Sequence, residues 1–171
     1  KLNYASGGIG SSSHLSAELL KSMAGIEMTH VPYKGAAPAV NAVLANEVNV
    51  MIGNLPPWSA HIKAGKVKAL AVTSAKRHPS LPDVPALGET LPGFETVAWF
   101  GVLAPANTPK AVVDRINALV NQALEQPDVK ARFDTLLCDP APGTAESFSA
   151  RVSADVARWK KLAAERNIRA D

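Results

Sequence analysis

With 171 residues, 47% of them hydrophobic and 19% charged, the chain can bury a core in one domain or two small lobes, and no apolar run is long enough to span a membrane. The net charge of +3 comes from scattered cations (Lys63, Lys66, Lys68, Lys76, Arg77, then Arg151, Arg158, Lys160, Lys161), with no alternation of basic and aromatic residues of the kind that marks a nucleic-acid surface. Cys138 is the single cysteine, and His14, His30, His61 and His78 lack metal-ligand spacing, so no internal disulfide, metal site or cofactor is expected.

In chain order, Leu2 to Ala5 reads as a short strand. The loop Ser6-Gly7-Gly8-Ile9-Gly10-Ser11-Ser12 follows, and Ser11 or Ser12 caps a helix to about Met23, stopped by Gly25. Leu15, Leu19, Leu20 and Met23 recur at helical spacing. Ile26 to Val31 alternates as a strand does, and Pro32-Tyr33-Lys34-Gly35 breaks it. A second helix is expected from Ala37 to about Asn46, a strand over Val48–Ile52 ending at Gly53-Asn54, and a helix opened by Pro56-Pro57 and ending near Gly65. Val67 to Thr73 is the next strand. This alternation predicts a mostly parallel sheet flanked by helices, with ligands bound where strands end and helices begin. The loops gathered on that rim are Ser6–Ser12, Pro32–Gly35, Asn54–Pro57 and Thr73–Ala75.

From Arg77 to Gly93 a proline-rich crossing interrupts the pattern, with a short helix expected at Ala86–Thr90. Phe94 to Ala104 is extended and apolar. A long helix then starts at Asn107-Thr108-Pro109, a shorter one at Pro127-Asp128, and a last one at Thr144-Ala145-Glu146 that ends near Asn167. So little sheet cannot cover these amphipathic helices, which predicts that they pack on the first half or on something beyond this chain.

The loop Ser6 to Ser12 is the first chemical candidate. Glycines let backbone approach a ligand closely, and a helix start offers free N–H groups and a dipole that favour an anion. It is equally a capped helix after a tight turn. Ser11, Ser12 and Ser13 precede His14, but the GxSxG pattern of serine hydrolases is absent and neighbouring helix residues point apart, so Ser13 and His14 are expected as cap and surface residues. Neither GxGxxG nor GxxxxGK[ST] is present. Lys34, beside Tyr33, either faces the rim and attracts carboxylates or is a solvent lysine. Asn54 ends a buried strand, and either holds a turn together or contacts a ligand. Trp58, Trp99 and Trp159 read as core or hinge packing.

Taken together and in order, Asn3-Tyr4-Ala5-Ser6, Gly10-Ser11-x-Ser13-His14-Leu15, His30-Val31-Pro32-Tyr33-Lys34-Gly35, Asn54-Leu55-Pro56, His61-Ile62-Lys63-Ala64-Gly65-Lys66, Leu70-Ala71-Val72-Thr73-Ser74, Leu81-Pro82-Asp83-Val84-Pro85 and Trp99-Phe100-Gly101 resemble one family across essentially the whole chain. It is the Bug family, the extracytoplasmic solute receptors of tripartite tricarboxylate transporters.

The resemblance implies an α/β, three-layer αβα fold of the type II periplasmic-binding-protein kind, with two lobes closing on a small organic carboxylate. It implies no catalysis, a periplasmic location, and delivery of the ligand to the membrane components of the transporter. The ligand-binding residues carried over are Ser6, Gly7, Gly8, Ile9, Gly10, Ser11 and Ser12, with Tyr33, Lys34 and Asn54 lining the rim. Residues 1–97 would be lobe two and residues 98–171 the return into lobe one. Family members carry a further N-terminal segment that builds most of lobe one, so the chain reads as a mature or truncated piece with half a binding site, open to self-association. The rival readings are an effector-sensing domain of a bacterial transcriptional regulator and a serine hydrolase.

Overall fold

The computed structural model describes residues 2–169, which divide into two compact units: residues 2–98 with 159–169, and residues 99–158. In the first unit, strand β1 (Asn3–Ser6) lies between β2 (Thr29–Pro32) and β3 (Val50–Met51), all parallel. Tyr4 pairs with His30 on one side and Val50 on the other.

Helix α1 (Ser12–Ala24) follows β1, and α2 (Ala36–Leu44) follows β2. Because neighbouring strand residues face opposite ways, Tyr4 and Ala5 seed separate cores. Tyr4 packs with Ala17 of α1 and Met28, flanked by Leu20, Val50 and Ile52. Ala5 packs with Ala39 and Ala42 of α2 and Val48, flanked by Val31, Tyr33, Val43 and Met51. The unit is therefore layered as helix, sheet, helix. After β3, Pro56–Trp58 form one 3-10 turn that leads into α3 (Ser59–Lys63).

The strand expected over Val67–Thr73 is reduced to one bridge, Val72 to Ala86. The Val72 amide donates to the Pro85 carbonyl, and Val72 accepts from Leu87. The partner segment contains Pro82 and Pro85, which have no N–H to extend a ladder. The helix expected at Ala86–Thr90 is a 3-10 turn over Leu87–Glu89. Glu89 secures it, accepting from the Ala86 amide at 2.9 Å and from both Nε and Nη2 of Arg77 at 2.8 Å.

The second unit opens on the extended stretch from Trp99. Trp99 meets the Phe148 ring edge-on and donates its indole N–H to Asp155. Helices α4 (Lys110–Leu124) and α5 (Pro127–Leu136) bury no residue, and in α6 (Ala145–Glu165) only Leu162, which belongs to the first unit, is buried. Asn117 and Asn121 of α4 hold the Gly143 backbone. Phe94–Ala104 forms no strand, and Phe100, Val102 and Leu103 within it are exposed.

Candidate functional site

The candidate loop joins the C-terminal end of β1 to the start of α1. Its backbone follows from its glycines. Gly8 sits at φ 129° with a Cβ position 3.4 Å from the Tyr33 carbonyl oxygen, so a side chain there would meet both strain and the neighbouring loop. Gly10, at φ 76°, turns the chain into the helix. Two backbone bonds tie the loop to the one after β2. The Tyr33 amide donates to the Ser6 carbonyl at 2.9 Å, and the Gly35 amide to the Gly7 carbonyl at 3.1 Å.

Most polar groups of the loop are committed to the loop itself. Ser11 is the N-cap of α1, its Oγ accepting from the His14 amide at 3.3 Å and donating to the Gly8 carbonyl at 2.7 Å. The Gly7 amide donates to Ser13 Oγ, the Gly8 amide to Ser6 Oγ, the Gly10 amide to His14 Nδ1 and the Ser11 amide to the Gly8 carbonyl. Ser6 is fully buried and shares a 2.6 Å bond with His30 Nε2. Among the described residues, no hydrogen-bond acceptor meets the amides of Ile9, Ser12 and Ser13. These are the donors left for a guest, at the positive end of a 13-residue helix, together with the hydroxyl of exposed Ser12.

Of the other residues expected on the rim, Tyr33 places its backbone against Ser6 and Gly8 while its side chain packs on the Ala5 core. Lys34 is exposed. Asn54 is exposed rather than buried, because β3 ends at Met51 and Asn54 lies beyond Gly53, which sits against the Trp58 indole. The expectation that Asn54 is a buried amide in need of partners is therefore corrected.

His14 and Ser13 are also not surface residues: each is 7% exposed or less. His14, Glu18 and Lys21 follow one another at helical spacing and form a polar buried stripe on α1, while Met23 is 37% exposed. The stripe is buried because every charge in it has a partner. Glu18 accepts from Tyr4 Oη (2.7 Å), Lys21 Nζ (2.7 Å) and Arg166 Nε (3.0 Å). Burial pushes the Glu18 carboxyl up, but these donors outweigh it and hold the pKa down at about 2. Burial and then the bond to Glu18 raise the Tyr4 hydroxyl above its ordinary value.

The imidazoles of His14 and His30 stack with centroids 4.0 Å apart and planes 7° from parallel, and the Tyr4 ring stacks on His30 at 4.8 Å. Burial lowers both histidines, and the His14 ring lowers His30 further, to about 4. Beside them lies a cleft of about 340 Å³ lined by Ile9, His14, Glu18, Lys21, His30 and residues 166–169. Sequence reasoning missed Glu18, Lys21 and His30. The spacing of His14, Glu18 and Lys21 carried a signal for a shared helix face, whereas Arg166, 148 positions from Glu18, carried none.

The description "Tripartite tricarboxylate transporter family receptor" matches residues 1–168. A protein from the tcbD-tcbE intergenic region of Pseudomonas sp. (strain P51) is 42% identical over all of this chain and 52% of its own length. Two solved structures from Rhodopseudomonas palustris are similar. Rpa4515 with adipate has a TM-score of 0.89 and 38% identity over 98% of this chain and 56% of its own. MatC (Rpa3494) with bound malate has a TM-score of 0.84 and 35% identity over 94% and 56%. The chain thus spans about half the length of each of these three relatives. These likenesses give the fold as the α/β fold of periplasmic binding proteins, and the chain belongs to the tripartite tricarboxylate transporter receptor family, the one its motifs resemble.

Proposed function

We propose that this chain is the ligand-loop part of a periplasmic receptor that captures a small organic carboxylate and passes it to the membrane components of a tripartite tricarboxylate transporter. Residues 1–97 form lobe two in this reading, and residues 98–171 return to lobe one. The observation that carries it is the loop at the start of α1, where the Ile9, Ser12 and Ser13 amides keep free donors while the surrounding groups bond one another. A carboxylate oxygen is an acceptor with the charge that a helix start favours. Gly7, Gly8, Gly10, Ser6 and Ser11 shape the loop, Ile9 and Ser12 meet the ligand, and the Tyr33–Lys34 loop backs them. Asn54 stands at the outer rim. The bound adipate and malate of the similar structures support a carboxylate as the class of guest.

Binding proceeds without covalent chemistry. Ser6 and His30 make a close serine–histidine pair, but Ser6 is fully buried and out of a substrate's reach. His14 Nδ1 is taken by the Gly10 amide, so His14 cannot take a proton from a serine through that nitrogen.

The test is a titration of the isotope-labelled chain with adipate, then with malate, followed by amide NMR. Saturable shifts centred on the Ile9, Ser12 and Ser13 amides are expected, with none from a diamine of similar length. Equal shifts from the diamine, or shifts confined to other residues, would refute the assignment.

A further inference from the structure

The ligand loop has little packing of its own. Ile9 and Gly10 at its tip are exposed, so its orientation depends on what grips its flanks. Two imidazoles do so. His14 Nδ1 accepts from the Gly10 amide at 3.1 Å, and His30 Nε2 bonds Ser6 Oγ, which in turn accepts from the Gly8 amide. The rings are stacked face to face, so each fixes the plane of the other. We propose that His14 and His30 are positioning residues of the ligand loop, a stacked neutral pair that holds its Gly10 and Ser6–Gly8 ends so that the Ile9, Ser12 and Ser13 amides keep one orientation. This rests on the reading of Ser6–Ser12 as the ligand loop.

The surroundings favour neutral rings. Around the pair stand Tyr4 from β1, Glu18 and Lys21 from α1, and Arg166 and Arg169 from the C-terminal segment. The anions of this cluster are Glu18 and Glu27, and both already carry Lys21 and Arg166, which leaves Arg169 unmatched by either. A protonated imidazole would therefore join a cluster with more positive than negative charge, in a buried setting. Protonation would also remove the lone pair on His14 Nδ1 that the Gly10 amide needs.

Two substitutions separate the ring from its acceptor. His14→Phe keeps a stacking ring and removes the acceptor; His14→Asn gives up the ring and returns an acceptor near the Nδ1 position. Amide hydrogen exchange is read at Gly8 and Gly10, with Ala5 of β1 as the reference. The expected result is faster exchange at Gly10 in His14→Phe, by about tenfold, with Ala5 unchanged and protection recovered in His14→Asn. Unchanged Gly10 exchange in His14→Phe overturns the proposal. Should that variant fail to fold, ring nitrogen NMR of the unaltered chain decides. At pH 6.5, where an ordinary imidazole is half charged, an unprotonated His14 Nδ1 supports the proposal and a protonated one overturns it. Adipate titration of the same variants tests the underlying reading separately. Weaker adipate binding in His14→Phe, recovered in His14→Asn, supports both; a freed Gly10 amide with unchanged adipate binding keeps the anchor and removes the loop from the ligand site.

Discussion

Residues 2–98 with 159–169 and residues 99–158 were written with similar amphipathic patterning, yet they use it differently. The first unit covers both faces of its sheet and buries polar side chains with partners: Glu18 with Tyr4, Lys21 and Arg166, Ser6 with His30, Ser13 with the Gly7 amide. The second buries no residue of α4 or α5 and leaves Val112, Ile116, Leu119 and Val120 of α4 at least 36% exposed. An apolar stripe records what a helix is built to pack against; it does not by itself produce that packing. Burial of polar groups is the more demanding sign, because an unpaired one costs heavily. The unit that carries the candidate loop is the one in which that demand is met.

Glu18→Ala breaks the comparison most sharply. It strips the carboxylate from buried Lys21 and Tyr4, and a cost of about 3–5 kcal/mol is expected, read by urea denaturation. Amide exchange should rise across residues 2–98 far more than across 99–158; an equal rise in both would mean that the two regions share one cooperative network. Acid should act on the same groups. With its pKa held at about 2 against an ordinary 4.5, Glu18 adds stability that is complete above pH 4.5 and is lost as the pH falls towards 2, because the unfolded chain binds the proton first; the loss is about 3 kcal/mol. His30, lowered to about 4 from 6.5, loses its contribution in an earlier window, as the pH falls from 6.5 to 4. Unfolding should therefore ease in two stages on acidification, and Glu18→Gln should shrink the lower one to what exposed Glu89, held down by Arg77, contributes in the same window.

In the second unit the point to strike is Gly101, whose missing Cβ leaves room for the Phe148 ring; an added methyl would run into it. Phe148 is also the ring that Trp99 meets edge-on, with Trp99 bonded to Asp155. Gly101→Ala is expected to destabilise by about 1–3 kcal/mol through overpacking. Near-ultraviolet circular dichroism from Trp99 should weaken, while exchange at the Gly10 amide stays as it is. A changed Gly10 amide would show that the second unit holds the loop.

Much of this was legible in the residues. The periodicities of α1, α2, α4, α5 and α6, the alternation before β2 and the short strand at Leu2–Ala5 place those elements to within a few residues, since most repeat over several turns or are bounded by Gly or Pro. The family followed from spaced motifs that no single element required. Illegible were features decided by distant partners. Val67–Thr73 has strand residues but meets a segment with Pro85 beside Ala86, so it forms a single bridge to Ala86. Asn54 followed from the assumption that β3 runs on to Ile52. His14 reads as a surface residue because its burial depends on a ring from β2, and Glu18 escapes notice because one of its three donors lies 148 positions away. Local patterning states which face is apolar, but it cannot state that a polar face will be paired.

The finest test lies within the loop, between two adjacent serines with opposite commitments. Ser11 caps α1 and bonds the Gly8 carbonyl; Ser12 is exposed with an uncommitted hydroxyl. Ser11→Ala should cost about 1 kcal/mol of stability, as loss of an N-cap does, and should speed exchange at the His14 amide. Ser12→Ala should leave the melting temperature unchanged, because it removes no intramolecular bond. The two therefore separate shaping from contact: Ser12→Ala weakens adipate binding only if the hydroxyl itself touches the ligand, and leaves it intact if the Ile9, Ser12 and Ser13 amides do the holding. Adipate titration of Ser12→Ala beside thermal melts of both variants makes the distinction. A drop in stability for Ser12→Ala with none for Ser11→Ala would mean that Ser12 caps the helix and that Ser11 is the hydroxyl left free for a guest.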